Sequence, residues 1–129
     1  MDPHIKEEWL DRLRSGDYEQ TTGQLRDNDN GRCCLGVLCD IYAEHNKDGE
    51  WVDATFSTKA DSDAKVLPSS VANWADLPNY QGADIKVDED HLTDSSGHAS
   101  KTLSQLNDGI DGARMHTFDG IADLIEQNL

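Results

Sequence analysis

The chain is poor in basic side chains and in long apolar runs. Its 129 residues hold 11 lysines and arginines against 26 aspartates and glutamates, and the net charge is −15. With so few cations available to neutralise phosphates, direct nucleic-acid binding is not expected. The longest uncharged, mostly apolar run covers residues 33–39, which is far too short to cross a bilayer. The first residues, MDPHIKEEWLDRL, are not a secretion signal, and we therefore expect a cytoplasmic protein.

Cysteine is also scarce, and all three cysteines lie in one segment, RCCLGVLCDIY at residues 32–42. No distant cysteine is available for a long disulfide, which fits a reduced, intracellular protein. Zinc sites use spaced pairs of ligands, whereas Cys34 and Cys39 on a helix would lie about 140° apart. Free cysteine is among the most buried residue types. The sequence therefore predicts that Cys33, Cys34 and Cys39 pack in the core without a metal.

The acidic residues are spread along the chain rather than gathered in one block. They run from Asp2 to Glu126, between tryptophan and leucine anchors, and 19 of the 26 are aspartate. This pattern favours a folded domain with an acidic coat over a disordered acidic tail. Solubility in concentrated brine, imitation of DNA phosphates and compositional drift are three explanations of such a coat. The even spread and the shortage of lysine favour brine.

Hydrophobic periodicity predicts a single α+β domain over residues 1–129. We expect four to five helices around a buried central helix, with a small antiparallel sheet of two or three strands. The predicted helices cover 3–14, 33–42, 67–78, 100–109 and 117–129, and the predicted strands cover 51–56 and 83–90. Asp2 and Thr117 are predicted helix N-caps. The predicted interior includes Trp9, Leu38, Trp74 and Ile121.

Five pieces of the sequence occur in a recognisable order. They are W…LRSG.Y.Q…G.LR from residue 9, CCLGVLCD from 33, LP..V..W from 67, L..LND from 103 and F..IADLIE from 118. Together they resemble a family of small uncharacterised bacteriophage proteins. The resemblance implies a phage protein in an infected host cell and no particular activity, and the acidity suggests a virus of a halophile. The acidity itself and the extra segment IDGARMH at 110–116 depart from the family pattern.

One group of polar residues is a candidate ligand site for a small enzyme or nucleotide-binding protein. Its members are Arg26, Cys33, Asp40, Asn107 and Asp108. The alternative for TTGQLR (21–26) and LND (106–108) is structural, with Gln24 or Arg26 satisfying backbone groups and with Asn107 and Asp108 capping or turning the chain before Gly109. We identify no catalytic residue, metal site or cofactor. The preferred function is therefore that of a non-enzymatic accessory protein binding a host or viral partner, with an acidic DNA mimic as a second alternative.

Histidines and acid-dense loops offer little further chemistry. The five histidines lie in polar contexts and are expected at the surface: His4, His45, His91, His98 and His116. The loops DNDNG (27–31) and DEDHLTD (88–94) are rich in aspartate. A calcium loop starting at Asp27 would need glutamate at its twelfth position, where Leu38 stands. Solvated turns are expected in both loops, with loose cation binding as the alternative.

Overall fold

Five α-helices and two small antiparallel sheets form the fold in the computed structural model, which describes residues 1–87, 89–92 and 99–129. The helices are α1 Pro3–Arg14, α2 Cys34–Asn46, α3 Ser69–Trp74, α4 Leu103–Asp108 and α5 Phe118–Asn128. One sheet holds β1 Glu50–Val52, β2 Thr55–Ser57 and β3 Ser62–Asp63, and the other holds β4 Asp84–Val87 and β5 Ala99–Thr102. The predicted α+β class is confirmed. None of the described helices is both long and apolar enough to cross a membrane.

Helix α2 is the buried centre of the molecule, as predicted. Its cysteines, leucines, Val37 and Ile41 are fully enclosed, and it packs against α1, α3 and α4. The backbone at Leu25 passes so close to α2 that a Cβ built on Gly36 would lie 2.1 Å from the Leu25 carbonyl oxygen. Only glycine fits there without movement of the backbone. The helix continues beyond the predicted residue 42 and ends at Asn46, with Lys47 as its C-cap at a φ of 49°.

Helices α1 and α5 pack side by side and bring distant parts of the chain together. Helix α1 begins as predicted, because the Asp2 carboxylate accepts hydrogen bonds from the first free amides of the helix. Helix α5 likewise begins at the predicted cap, Thr117, whose hydroxyl accepts from the Gly120 amide. The Arg14 guanidinium on α1 lies 2.9 Å from carboxylate oxygens of both Asp123 and Glu126 on α5.

Three local predictions are wrong. Residues 51–56 form a hairpin rather than one strand, because the chain reverses at Asp53, whose φ is 53°. The segment predicted as a helix from residue 100 is strand β5 up to Thr102, and α4 starts only afterwards. There the Thr102 hydroxyl and the Gln105 side chain form a reciprocal capping box. Trp9, Leu38 and Ile121 are fully buried as predicted, whereas Trp74 is only half-buried against the core.

Candidate functional site

The first polar cluster joins α2 to the hairpin β1–β2 and contains Arg26, Arg32, Asp40 and Trp51. Arg32 donates from Nε to one Asp40 oxygen at 3.1 Å, and the Trp51 indole donates to the other at 2.8 Å. The guanidinium carbons of Arg32 and Arg26 lie 5.0 and 5.9 Å from the Trp51 ring centre. The Arg32 side chain is only 10% exposed, so this ion pair is largely sheltered from water. Both Asp40 oxygens are therefore engaged within the fold.

The second polar cluster surrounds the fully buried Asn107. Its Oδ1 accepts from Gln20 Nε2 at 2.9 Å and from the Cys34 amide at 3.1 Å. Its Nδ2 donates to the Thr21 carbonyl at 2.9 Å and to Asp108 Oδ1 at 2.8 Å. An asparagine amide offers two donors and two acceptor positions, and all four are used here. Asn107 thus links the 20–21 segment, the start of α2 and the end of α4.

The three thiols are buried, as predicted. Cys33 is the N-cap of α2, and its Sγ accepts from the Gly36 amide at 3.4 Å. Burial raises the pKa of Cys33 to about 11, and burial also raises the pKa of Cys34 and Cys39 well above the usual range. Because the thiolate is the reactive form of cysteine, these protonated thiols are poor nucleophiles at neutral pH.

Four of the five residues of the predicted polar site divide between these two clusters. Arg26 and Asp40 belong to the first cluster, and Asn107 and Asp108 belong to the second. Cys33 lies in the chain between them, since Arg32 belongs to one cluster and Cys34 to the other. The two networks of side-chain hydrogen bonds share no residue within the described chain.

Three side chains of these clusters, those of Arg32, Trp51 and Gln20, were missed as site residues by sequence reasoning. The signal for Arg32 was its place directly before the most apolar run, where a charge needs a buried partner. Gln20 gave no comparable signal, because its partner Asn107 is 87 positions away. The predicted structural role of LND is seen in Asn107. Arg26 satisfies a backbone group as predicted, donating from Nη1 to the Asp53 carbonyl at 3.4 Å. Gln20 is the side chain that reaches Asn107.

Two of the histidines form a pair that the sequence did not predict. The rings of His91 and His116 stack with centres 4.9 Å apart, and Nδ1 of His91 lies 2.6 Å from Nε2 of His116. His116 Nδ1 lies 2.6 Å from the Arg114 carbonyl, which only accepts, so this nitrogen carries the proton. Burial, together with His91, lowers the pKa of His116. His4 and His45 are exposed as expected, whereas the half-buried His91 and His116 contradict the expectation that all five histidines lie at the surface. His98 lies outside the described residues.

The loop at 27–31 is organised by its own aspartate. Asp27 accepts from the amide of Gly31 at 2.7 Å and from that of Asp29 at 3.0 Å. Hydrogen bonds from the Gly31 amide and the Thr21 side chain hold the pKa of Asp27 below its usual value. The carboxylate is thus used in a turn. The second acidic loop, 88–94, lies partly outside the described residues. Within the described residues, no three His, Cys, Asp or Glu side chains are grouped to hold a metal.

Many other aspartates also serve the backbone. Five accept hydrogen bonds from nearby or facing backbone amides: Asp2, Asp27, Asp48, Asp61 and Asp63. Three more adopt the left-handed conformation: Asp53, Asp76 and Asp111. The short aspartate side chain suits both tasks, whereas the longer glutamate does not. Part of the aspartate excess is therefore turn chemistry.

Comparison with known proteins gives a family without an assigned role. No curated protein and no solved structure is significantly similar to the chain. The match to a family extends over residues 1–129, so it includes both polar clusters and all five helices. The chain therefore belongs to the family described as a domain of unknown function, DUF8296.

Proposed function

We propose that this protein is a non-enzymatic accessory protein that works by binding a protein partner. The observation that supports this most is the engagement of its polar groups in the fold. All four positions of the Asn107 amide are bonded, both oxygens of Asp40 are held, and Cys33 caps a helix as a buried thiol. Side chains that are fixed in this way have little capacity left to act on a substrate.

The enzyme or nucleotide-binding alternative needs polar groups that converge on one concave site. Arg26 and Asp40 are bonded around Trp51, whereas Asn107 and Asp108 are bonded around the start of α2. The arrangement therefore supports two structural clusters rather than one reactive pocket.

The proposal includes the protein's origin and surroundings: a phage of a halophile, in the cytoplasm of the infected host cell. The ordered sequence pieces that resemble phage proteins support the origin. The net charge of −15 supports the surroundings, because exposed carboxylates repel one another at low salt. The Debye screening length falls from about 10 Å at 0.1 M salt to about 3 Å at 1 M, which relieves this repulsion.

The test is to recover the tagged protein from host cells at the salt concentration of the host, after chemical cross-linking. The expected result is one partner protein in fixed stoichiometry, identified by mass spectrometry and light scattering. A folded protein recovered only as a free species would contradict the proposal.

Variants separate partner binding from catalysis. Arg26→Gln and Cys33→Ser, introduced into the virus, should impair growth only as far as they lower the amount of folded protein. Loss of growth at an unchanged level of folded protein would support the enzyme alternative.

A further inference from the structure

A surface cleft of about 240 Å³ lies where the end of α1 meets the start of α5. Two distant pieces of the sequence build it, LRSG.Y.Q from residue 13 and the first turn of α5 with its cap. The lining residues are Leu13, Arg14, Gly16, Tyr18, Gln20, Thr117, Phe118 and Asp119. Ligand pockets for molecules of drug or nucleotide size usually measure about 300–1,000 Å³. A cleft of this size suits one side chain better than a nucleotide.

Part of the lining of the cleft is apolar and aromatic. Leu13 and Phe118 are buried, and Tyr18 is half-buried, with its hydroxyl 3.5 Å from the Arg12 guanidinium. Aromatic rings attract cations through their faces, and they accept the planar guanidinium of arginine especially well. The rings thus supply both apolar contact and a preference for positive charge.

The charged side chains around the cleft also favour a cationic ligand. Arg14 is the one cation in the lining, and it is already held at 2.9 Å by both Asp123 and Glu126. Arg12, beside Tyr18, is held in turn by Glu8 and Glu44. The exposed Asp119 is therefore the lining charge that has no ion-pair partner within the described chain. The amino end of α5 by itself favours an anion, and Asp119 in its first turn already meets that preference.

Gln20, which lines the cleft, has an acceptor rather than a donor left over. Its Nε2 donates to Asn107 Oδ1 at 2.9 Å and to the His116 carbonyl at 2.7 Å, which uses both amide hydrogens and fixes the orientation of the group. Within the described chain no donor is bonded to Gln20 Oε1. A cationic side chain in the cleft therefore meets an oxygen acceptor as well as aromatic rings and a carboxylate.

We propose that this cleft binds an arginine or lysine side chain of the partner protein. This inference rests on the proposed function, since it names the chemistry by which the partner is recognised. A cationic group suits the rings, the carboxylate of Asp119 and the Gln20 oxygen together. An anionic ligand would meet the Asp119 carboxylate and the repulsion of a chain with a net charge of −15.

The direct test is a nuclear magnetic resonance titration of the ¹⁵N-labelled protein at the lowest salt that preserves the fold. The probe is a capped peptide with one arginine between glycines, and the matched probe carries citrulline, which is neutral and has nearly the same shape. The expected result is saturable shifts of the amides of residues 13–20 and 117–119. Binding of the citrulline peptide should be about three- to fivefold weaker. Shifts elsewhere only, or equal binding of the two peptides, would overturn the proposal.

Asp119→Asn removes the carboxylate while keeping the shape of the side chain, and it should weaken binding of the arginine peptide about three- to fivefold. Asp84→Asn is the matched control, because Asp84 lines a different cleft with Tyr80 and its loss changes the net charge equally. Equal weakening by both variants would show a general charge effect and overturn the proposal.

The partner recovered from host cells separates the two proposals. If that partner binds the Asp119→Asn variant as tightly as the wild type, the cleft is not its site, while the proposed function stands. If no partner is recovered, the proposed function itself fails.

Discussion

Replacing Asn107 by alanine tests whether the second cluster holds the fold together. The substitution leaves the buried Cys34 amide and the part-buried Thr21 carbonyl without their partner. Each buried polar group left unsatisfied costs about 1–3 kcal/mol, and the carbonyl lies at the lower end because water reaches it more easily. We expect a loss of about 2–5 kcal/mol, which is a large part of the roughly 5–15 kcal/mol that stabilise a typical domain.

The assay is urea unfolding followed by far-ultraviolet circular dichroism at one salt concentration. Asn73→Ala is the matched control, because Asn73 is exposed on α3, and surface changes of this kind stay within about 0.5 kcal/mol. Asn107→Asp is a second variant. Its carboxylate can still accept from the Cys34 amide, but it cannot donate to the Thr21 carbonyl, and it places a second negative charge beside Asp108. A loss below about 1 kcal/mol for Asn107→Ala, or one equal to that of the control, would refute the reasoning.

Four further predictions concern the core, the thiols, the histidine pair and salt. Gly36→Ala should lose at least about 1–3 kcal/mol of unfolding free energy in urea, because its Cβ meets the Leu25 carbonyl; Gly120→Ala, whose Cβ would make only ordinary van der Waals contact with His116, should not, and equal effects would contradict the packing. A thiol reagent should label Cys33, Cys34 and Cys39 slowly in the folded protein and rapidly in urea; rapid labelling of folded protein would show that the thiols are accessible. In the folded state His116 is neutral and its pKa is lowered, so the stability that it contributes is complete above pH 6.5 and falls as the pH drops below that value. The free energies of unfolding in urea of the wild type and His116→Gln should therefore diverge across that range, and parallel curves would exclude the effect. The thermal midpoint should rise from low salt to molar sodium chloride without a divalent ion, and a flat midpoint would contradict the brine proposal.

The parts of the fold that were predictable are those whose signals are local. Asp2 and Thr117 are N-caps that can be recognised from the first helical turn after each of them, and the unbroken apolar run identifies α2 as the central helix. The hairpin at Asp53 was missed because aspartate is compatible with both a strand end and a left-handed turn. The start of α4 had a local signal, Thr102 three residues before Gln105, which was overlooked.

The candidate site was less predictable, for a physical reason. The bonds of the first cluster join residues 8 and 11 positions apart, but most bonds of the Asn107 cluster and the histidine pair join residues far apart in the sequence. Asn107 reaches partners 73–87 positions away, apart from its neighbour Asp108, and His91 meets His116 across 25 positions. Residue type alone indicated that these groups need partners, and only the packing of the helices determines which partners they obtain.

The pairing of α1 with α5 has a consequence for how the chain folds during synthesis. The first helix can pack against α2 early, but it meets α5 only after the ribosome has released residues 118–128, because contacts such as that of Arg14 with Glu126 span 112 positions. Until then the core lacks Ile121, Leu124 and Ile125, and the part of α1 that α5 covers stays open to other molecules. Folding to completion is therefore expected only after the C-terminal helix emerges, and a pause in translation before it would expose the nascent chain to chaperones and aggregation.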